Sequence, residues 1–185
     1  MTRFDPAIAL ILLAAGRSER FGGEKLVTPF RGKPLWEWAA EAAENSGFQN
    51  LYLVTGEHTS IAASDRWRKV INPDAAKGMG TSIAAGVAAA DAHERVVIAL
   101  ADMPLVTSDH LRALAHGTGA VFTRQQDGKA GCPAGFGREN FAALRRLTGD
   151  EGARVAIPEN ASILQPDDPV MLFDVDMQED LHTRF

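Results

Sequence analysis

The run "IALILLA", Ile8–Ala14, is apolar at every position and drops straight into "AGRSERFGGEK". A strand with one face in water alternates apolar and polar residues. One without a polar face needs cover on both sides, which a parallel sheet between two helical layers supplies. Four further runs of strand length follow: "NLYLVTG" (50–56), "RWRKVI" (66–71), "RVVIALAD" (95–102) and "GAVFTR" (119–124).

Helix-period segments separate these runs. "LWEWAAEAAENSG" (35–47) puts Leu35, Trp38, Ala39 and Ala42 on one face, with Gly47 as the stop. "GTSIAAGVAAADA" (80–92) opens on Thr81 and Ser82, and "SDHLRALA" (108–115) opens on Ser108, all capping types. The β-α-β-α rhythm predicts a three-layer α/β/α, Rossmann-like fold with a mostly parallel sheet. Beyond Gln125 the rhythm loosens. "DGKAGCPAGFG" reads as turns, "RENFAALRRL" as helix, and "SILQP" and "VMLFDVD" as strands before a last helix, "MQEDLHTRF". No linker or repeat interrupts the chain, so residues 1–185 read as a single domain.

Charge decides what kind of anion site is possible. The net charge of −5 gives no general field for nucleic acid or an anionic membrane, so any phosphate site must be a local arrangement. Cys132 is the only cysteine, which excludes an intramolecular disulfide and a multi-cysteine metal site. No leader pattern or membrane-length apolar run appears, and a cytoplasmic protein is expected. His58, His93, His110, His116 and His182 form no ligand-like pair, and Trp36, Trp38 and Trp67 read as packing residues.

The loop after the first run fits neither familiar phosphate motif. A Walker-type loop counted from Gly16 requires glycine where Phe21 stands, and a dinucleotide fingerprint requires glycine at Ser18. What remains is the small-residue strand end Leu13, Ala14, Ala15 and Gly16, which lets a base and ribose approach the backbone. Gly22 and Gly23 then turn amides toward phosphate oxygens, and Lys25 adds a point charge, worth roughly 1.5–3 kcal/mol as a charge-assisted bond. The alternative is a plain glycine loop with a solvated lysine.

Three other groups carry possible chemistry. Asp102 follows a buried strand, before Met103 and Pro104, as a Mg2+ ligand at the ligand-binding mouth or as a turn or capping residue. Asp174 and Asp176 lie two apart on a predicted strand and so share a face, where two like charges call for a cation; Asp176 as a helix cap is the structural alternative. "GMGTS" (78–82) precedes a helix, with free amides and the hydroxyls of Thr81 and Ser82 as a neutral binding surface or a simple cap.

"LAAGRSERFGGEKLVTPFRGKPL" (13–35) resembles the signature of the nucleotidyltransferases that act on the molybdenum cofactor. The resemblance continues through "NPDAAKGMGTSIAAGVAAA" (72–90), "ALADMPLVT" (99–107), "GDEGAR" (149–154) and "DVDMQEDL" (174–181). It implies a fold of the nucleotide-diphospho-sugar transferase type and attack of the molybdopterin terminal phosphate on the α-phosphorus of a nucleoside triphosphate. It places the base at Leu13–Gly16, the triphosphate on Arg17 and Lys25, and the nucleotide beside Asn72, Gly80, Thr81 and Ser82. Mg2+ would lie on Asp102 and Asp176, with Asp174 as a further ligand or a support. Ala101 stands where the family usually has glycine, and Cys132 where relatives often carry histidine, in a region expected to face the acceptor.

The branch with alanine at position 15 is associated with CTP and the branch with glycine there with GTP, so CTP is expected. A molybdenum hydroxylase apoenzyme is the implied receiver of the product. Four rivals remain: a molybdenum cofactor guanylyltransferase using GTP, a sugar-1-phosphate nucleotidyltransferase, a non-catalytic cofactor carrier, and a nicotinamide-dependent oxidoreductase that the glycine spacing disfavours.

Overall fold

A computed structural model of the protein describes residues 5–16, 18, 20–153, 158 and 160–183. The strands of the main sheet are β1 (Ile8–Ala14), β4 (Asn50–Thr55), β5 (Trp67–Ile71), β6 (Arg95–Leu100), β7 (Ala120–Arg124), β8 (Ala130–Gly137) and β9 (Ser162–Leu164). A two-stranded ribbon of β2 (Pro29–Phe30) and β3 (Lys33–Pro34) leads into helix α1 (Leu35–Asn45). Helices α2 (Met79–Ala89), α3 (Ser108–Ala115) and α4 (Phe141–Leu144) complete the set of α-helices among the described residues.

The sheet runs β5-β4-β1-β6-β8-β7-β9. β1 pairs in parallel with β4 on one side and β6 on the other, Leu12 lying between Leu53 and Ala99. β8 runs antiparallel to both β6 and β7, and β7 pairs in parallel with β9. The fold is the expected mostly parallel α/β sheet of Rossmann-like type, with one reversed strand.

β1 shows why its sequence has no polar face. Leu10, Leu12 and Ala14 pack into a core with Trp36, Ala39 and Ala43 of α1 and Leu111 and Leu114 of α3. Ala9, Ile11 and Leu13 point the other way, toward Ile83 and Val87 of α2 and the ring of Phe122. Each fully buried Leu or Ile contributes about 1.5–3 kcal/mol relative to exposure. α2 approaches so closely that a β-carbon at Gly86 would stand 2.6 Å from Ile11 Cγ2.

Several local expectations are corrected. The buried stripe of α1 is Leu35, Trp36, Ala39, Ala40 and Ala43, while Trp38 and Ala42 are only half-buried. Trp38 instead serves the ribbon: its Nε1 donates to Phe30 O at 2.8 Å, and the Lys33 ammonium sits 3.9 Å from the centre of its ring. Gly78, not Thr81 or Ser82, precedes α2, and both hydroxyl residues lie inside the helix. α3 is capped by Thr107, whose side chain accepts from the His110 amide.

"DGKAGCPAGFG" is not a string of turns but supplies the whole of β8. Its glycines mark close approach: a β-carbon at Gly135 would lie 2.2 Å from Leu114 O and 2.8 Å from the Arg95 guanidinium. "RENFAALRRL" gives a 3-10 turn at Arg138–Asn140 and only the four residues of α4. "VMLFDVD" pairs with no strand; it is a 3-10 turn at Pro169–Leu172 followed by an extended segment. The last helix is a 3-10 segment, Gln178–His182. Among the described residues, no helix is long and apolar enough to cross a membrane.

Candidate active site

The chain leaves β1, builds β4 and β5 on one side, and returns to add β6 on the other. The crevice outside the carboxyl ends of β1 and β6 is therefore the topological switch point, where open α/β sheets bind ligands. Ala15 and Gly16 emerge there from β1, and Asp102 stands just past β6. The Ala101 amide donates to Leu13 O at 3.0 Å and carries the pairing of the two strands to the edge of the crevice.

A cleft of about 530 Å3 opens at this point. Leu13, Ala15 and Gly16 line it together with the segment Ala75–Met79 and Ser82, the cations Arg20 and Lys25, and the carboxylates Asp102, Asp150, Asp174 and Asp176. A second hollow of about 320 Å3 adjoins it, sharing Ala15, Gly16, Ser18 and Lys25 and bounded by Glu57–Ile61 and Asn72. A β-carbon on Gly16 would meet nothing within 4 Å, so the backbone there faces open space.

Lys25 is not a solvated lysine. Its side chain is 9% exposed, and Nζ donates to Asp102 Oδ2 at 2.8 Å and to Val175 O at 2.6 Å. Asp176 Oδ1 lies 3.9 Å from the same nitrogen, and Asp176 Oδ2 accepts from the Arg20 guanidinium at 2.8 Å. Asp102 and Asp176 thus converge on one ammonium from two distant parts of the chain. Asp174 keeps part of its surface in solvent, yet desolvation by the cleft and then the charges of Asp102 and Asp176 raise its pKa above the ordinary aspartate value, against the pull of Lys25.

This donor set suits a hard divalent cation. Mg2+ takes oxygen ligands and is commonly held by one or two carboxylates, with waters and substrate phosphates filling the rest. Two converging carboxylates with excess negative charge meet that need. Among the described residues, no group of three His, Cys, Asp or Glu side chains forms an all-protein cage.

The amides of Gly80 and Thr81 in the "GMGTS" turn are engaged within the chain, while Gly78, Met79 and Ser82 line the cleft. The Gly80 amide donates to Gly149 O at 2.8 Å and the Thr81 amide to Gly78 O at 3.3 Å, so neither is free. Gly78 has φ +120°, and a β-carbon at Gly80 would lie 2.6 Å from Thr148 O. These glycines let the 148–150 turn dock against α2. Gly80 and Thr81 line neither cleft, whereas Ser82 does. Asn72 is buried and donates through Nδ2 to Thr81 Oγ1 at 2.9 Å and Ser82 Oγ at 3.0 Å.

Leu13, Ala14, Ala15, Gly16, Lys25, Asn72, Ser82, Asp102, Asp174 and Asp176 are brought together around the two hollows. Arg17 lies outside the described residues. Sequence reasoning missed Arg20, Lys77 and Asp150; the signal was Arg20 sharing the glycine loop and Lys77 preceding Gly78. Cys132 is half-buried on β8 and lines neither hollow. His93 and His110 are buried, bonded to Tyr52 Oη and Thr123 Oγ1 respectively, and Trp36 and Trp67 are buried as expected.

The crevice at the switch point, lined by the cations Arg20, Lys25 and Lys77 and by four carboxylates, is the candidate site of a nucleotidyltransferase. The chain belongs to the MobA-like NTP transferase domain family, whose profile matches residues 10–163. It is 30% identical to the purine catabolism protein PucB of Bacillus subtilis (strain 168) over 95% of each chain. It is also 30% identical to nicotine blue oxidoreductase of Paenarthrobacter nicotinovorans, over 85% of this chain and 78% of that one. Among solved structures, Rv0371c from Mycobacterium tuberculosis H37Rv superposes with a TM-score of 0.83 at 30% identity, covering 97% of this chain and 96% of the other. A structure of Rv0371c in complex with manganese superposes with a TM-score of 0.74 at 28% identity, covering 94% and 95%.

Proposed function

We propose that the protein transfers CMP from CTP to the terminal phosphate of molybdopterin, releasing pyrophosphate, with residues 1–185 acting as one nucleotidyltransferase domain. The observation that carries this reading is the position of Ala15. It stands just past the end of β1 among the residues that line both hollows, and its methyl is the group we assign to limiting the space for a base.

An oxygen of the acceptor phosphate forms a bond to the α-phosphorus as the α–β phosphoanhydride bond breaks, and pyrophosphate leaves with the electron pair. The acceptor is already ionised at neutral pH, so no general base is needed. The protein's task is to align two anions and offset the developing charge. Arg20, Lys25 and Lys77 face the triphosphate, and Ser82, held by Asn72, offers a neutral hydroxyl beside the nucleotide. Mg2+ is the cation we assign to Asp102 and Asp176; when bound, it supplies Lewis-acid neutralisation at the transferred phosphoryl group. The manganese complex of a structural relative supports a divalent site in this fold.

The deciding assay incubates the protein with purified molybdopterin cofactor, Mg2+ and each nucleoside triphosphate separately, and measures pyrophosphate. Release with CTP and little with GTP is expected. Preference for GTP makes the protein a guanylyltransferase, and release with none supports a cofactor carrier. The likeness to nicotine blue oxidoreductase is checked in parallel by nicotinamide cofactor oxidation, for which no turnover is expected because the loop lacks the dinucleotide glycine spacing.

A further inference from the structure

We propose that Lys25 and Arg20 are counter-ions exchanged for the metal: they neutralise Asp102 and Asp176 before it binds, and its arrival releases them toward the phosphates. The inference rests on the reading that these two aspartates hold a divalent cation. The geometry behind it is a chain of contacts across the crevice. Lys25 Nζ is 2.8 Å from Asp102 and 3.9 Å from Asp176, and Arg20 takes the other oxygen of Asp176 at 2.8 Å.

Two of the three ammonium protons of Lys25 are committed, to Asp102 Oδ2 and to the Val175 carbonyl. In that position the side chain has little surface open to the cleft, so full engagement with a triphosphate requires it to leave the carboxylate. A divalent ion on Asp102 supplies the reason to leave, because an ammonium and a metal repel across a shared oxygen. Arg20 differs in having a side chain 77% exposed, which lets it swing into the cleft at little packing cost. Metal and nucleotide therefore bind in a coupled way. The metal alone must displace two resident cations, whereas a metal–triphosphate complex offers those cations new oxygens.

The test is Mn2+ binding without nucleotide, followed by the paramagnetic resonance signal of free Mn2+, in wild type and in Asp102→Asn, Lys25→Met, Lys25→Arg and Arg20→Met variants. Circular dichroism monitors folding. We expect Asp102→Asn to weaken Mn2+ binding and Lys25→Met to tighten it at least about fivefold, since a repelling charge within ~4 Å is removed. Arg20→Met should tighten it less, and Lys25→Arg should restore wild-type affinity. If Lys25→Met fails to fold, Arg20→Met decides alone. Mn2+ binding indifferent to Asp102→Asn overturns the metal reading itself. Binding that depends on Asp102 but does not tighten on removal of either cation leaves that reading standing and overturns the exchange.

Discussion

Asn72 and Ser82 are joined by a hydrogen bond of 3.0 Å from the buried amide to the serine hydroxyl, fixing the start of α2 against the segment that follows β5. The same amide also holds Thr81, and Asn72 Oδ1 accepts from the Asp74 backbone. Asn72→Ala should lower stability by about 1–3 kcal/mol, because buried polar groups lose partners. Chemical denaturation reads this loss. The Michaelis constant for the nucleotide should rise as Ser82 loses its fixed position, and an unchanged constant would separate Asn72 from the site.

Asp102→Asn should reduce transfer by at least about 10²-fold, the usual cost of removing one electrostatic stabiliser, while the fold persists. The amide keeps the shape of the carboxylate but neither its charge toward a metal nor its ion pair with Lys25. Steady-state kinetics over a Mg2+ titration is the measurement. Wild-type turnover with the same Mg2+ dependence would remove Asp102 from the metal site.

Ala15→Gly tests base choice. A single methyl in a pocket is worth about 1–3 kcal/mol, so the kcat/KM ratio of CTP over GTP should fall by at most about 10- to 200-fold, without full reversal. A ratio that does not move would place the discrimination elsewhere along the two hollows.

Gly86→Ala probes the seat of α2 on the sheet. The added carbon would lie 2.6 Å from Ile11 Cγ2 and 3.0 Å from Val54 Cγ2, so the helix must shift or the side chains must leave their rotamers. Overpacking of this kind costs about 1–3 kcal/mol, seen as a lower thermal midpoint. Equal stability would mean that Ile11 finds room by rotation alone.

His110 carries a pH dependence of stability. Burial lowers its pKa below 6.5, opposed by the charge of Asp167, and its ring bonds Thr123 Oγ1 at 2.7 Å. The unfolded chain binds a proton as pH falls through about 6.5, while the folded chain resists until its lower pKa is reached. Its contribution is therefore constant above that window and is lost progressively as the medium becomes more acidic. Denaturation of wild type and His110→Asn between about pH 7.5 and 5.5 should show a shallower decline in the variant. Parallel declines would assign the acid sensitivity to other groups.

The strands on either side of the crevice were legible in the sequence because β1 and β6 are buried on both faces, and two-sided burial leaves an unbroken apolar run. β8 was not, because its glycines look like turn formers until Leu114 and Arg95 are seen pressing against them. Asp102 could be picked out as a carboxylate at the mouth of a sheet, whereas Asp176 is singled out by its pairing with Asp174 and by resemblance, on a predicted strand that does not form. The state of Lys25 could not, since its partners Asp102 and Val175 are 77 and 150 residues away along the chain. Likewise, the "GMGTS" turn looked like open amides because its occupant, the 148–150 turn, arrives from another region of sequence.

Val175 is the residue through which the tail of the chain meets the strand ends, its amide donating to Asp102 O and its carbonyl accepting from Lys25. This has a consequence for biosynthesis, which proceeds from the amino end. A nascent chain that has already formed β1 and β6 possesses the floor of the crevice but neither Asp176 nor the carbonyl that steadies Lys25. The charge pattern of the cleft is thus completed only when a segment translated well after β1 and β6 folds back onto them, and a chain that stops short of Val175 cannot display it.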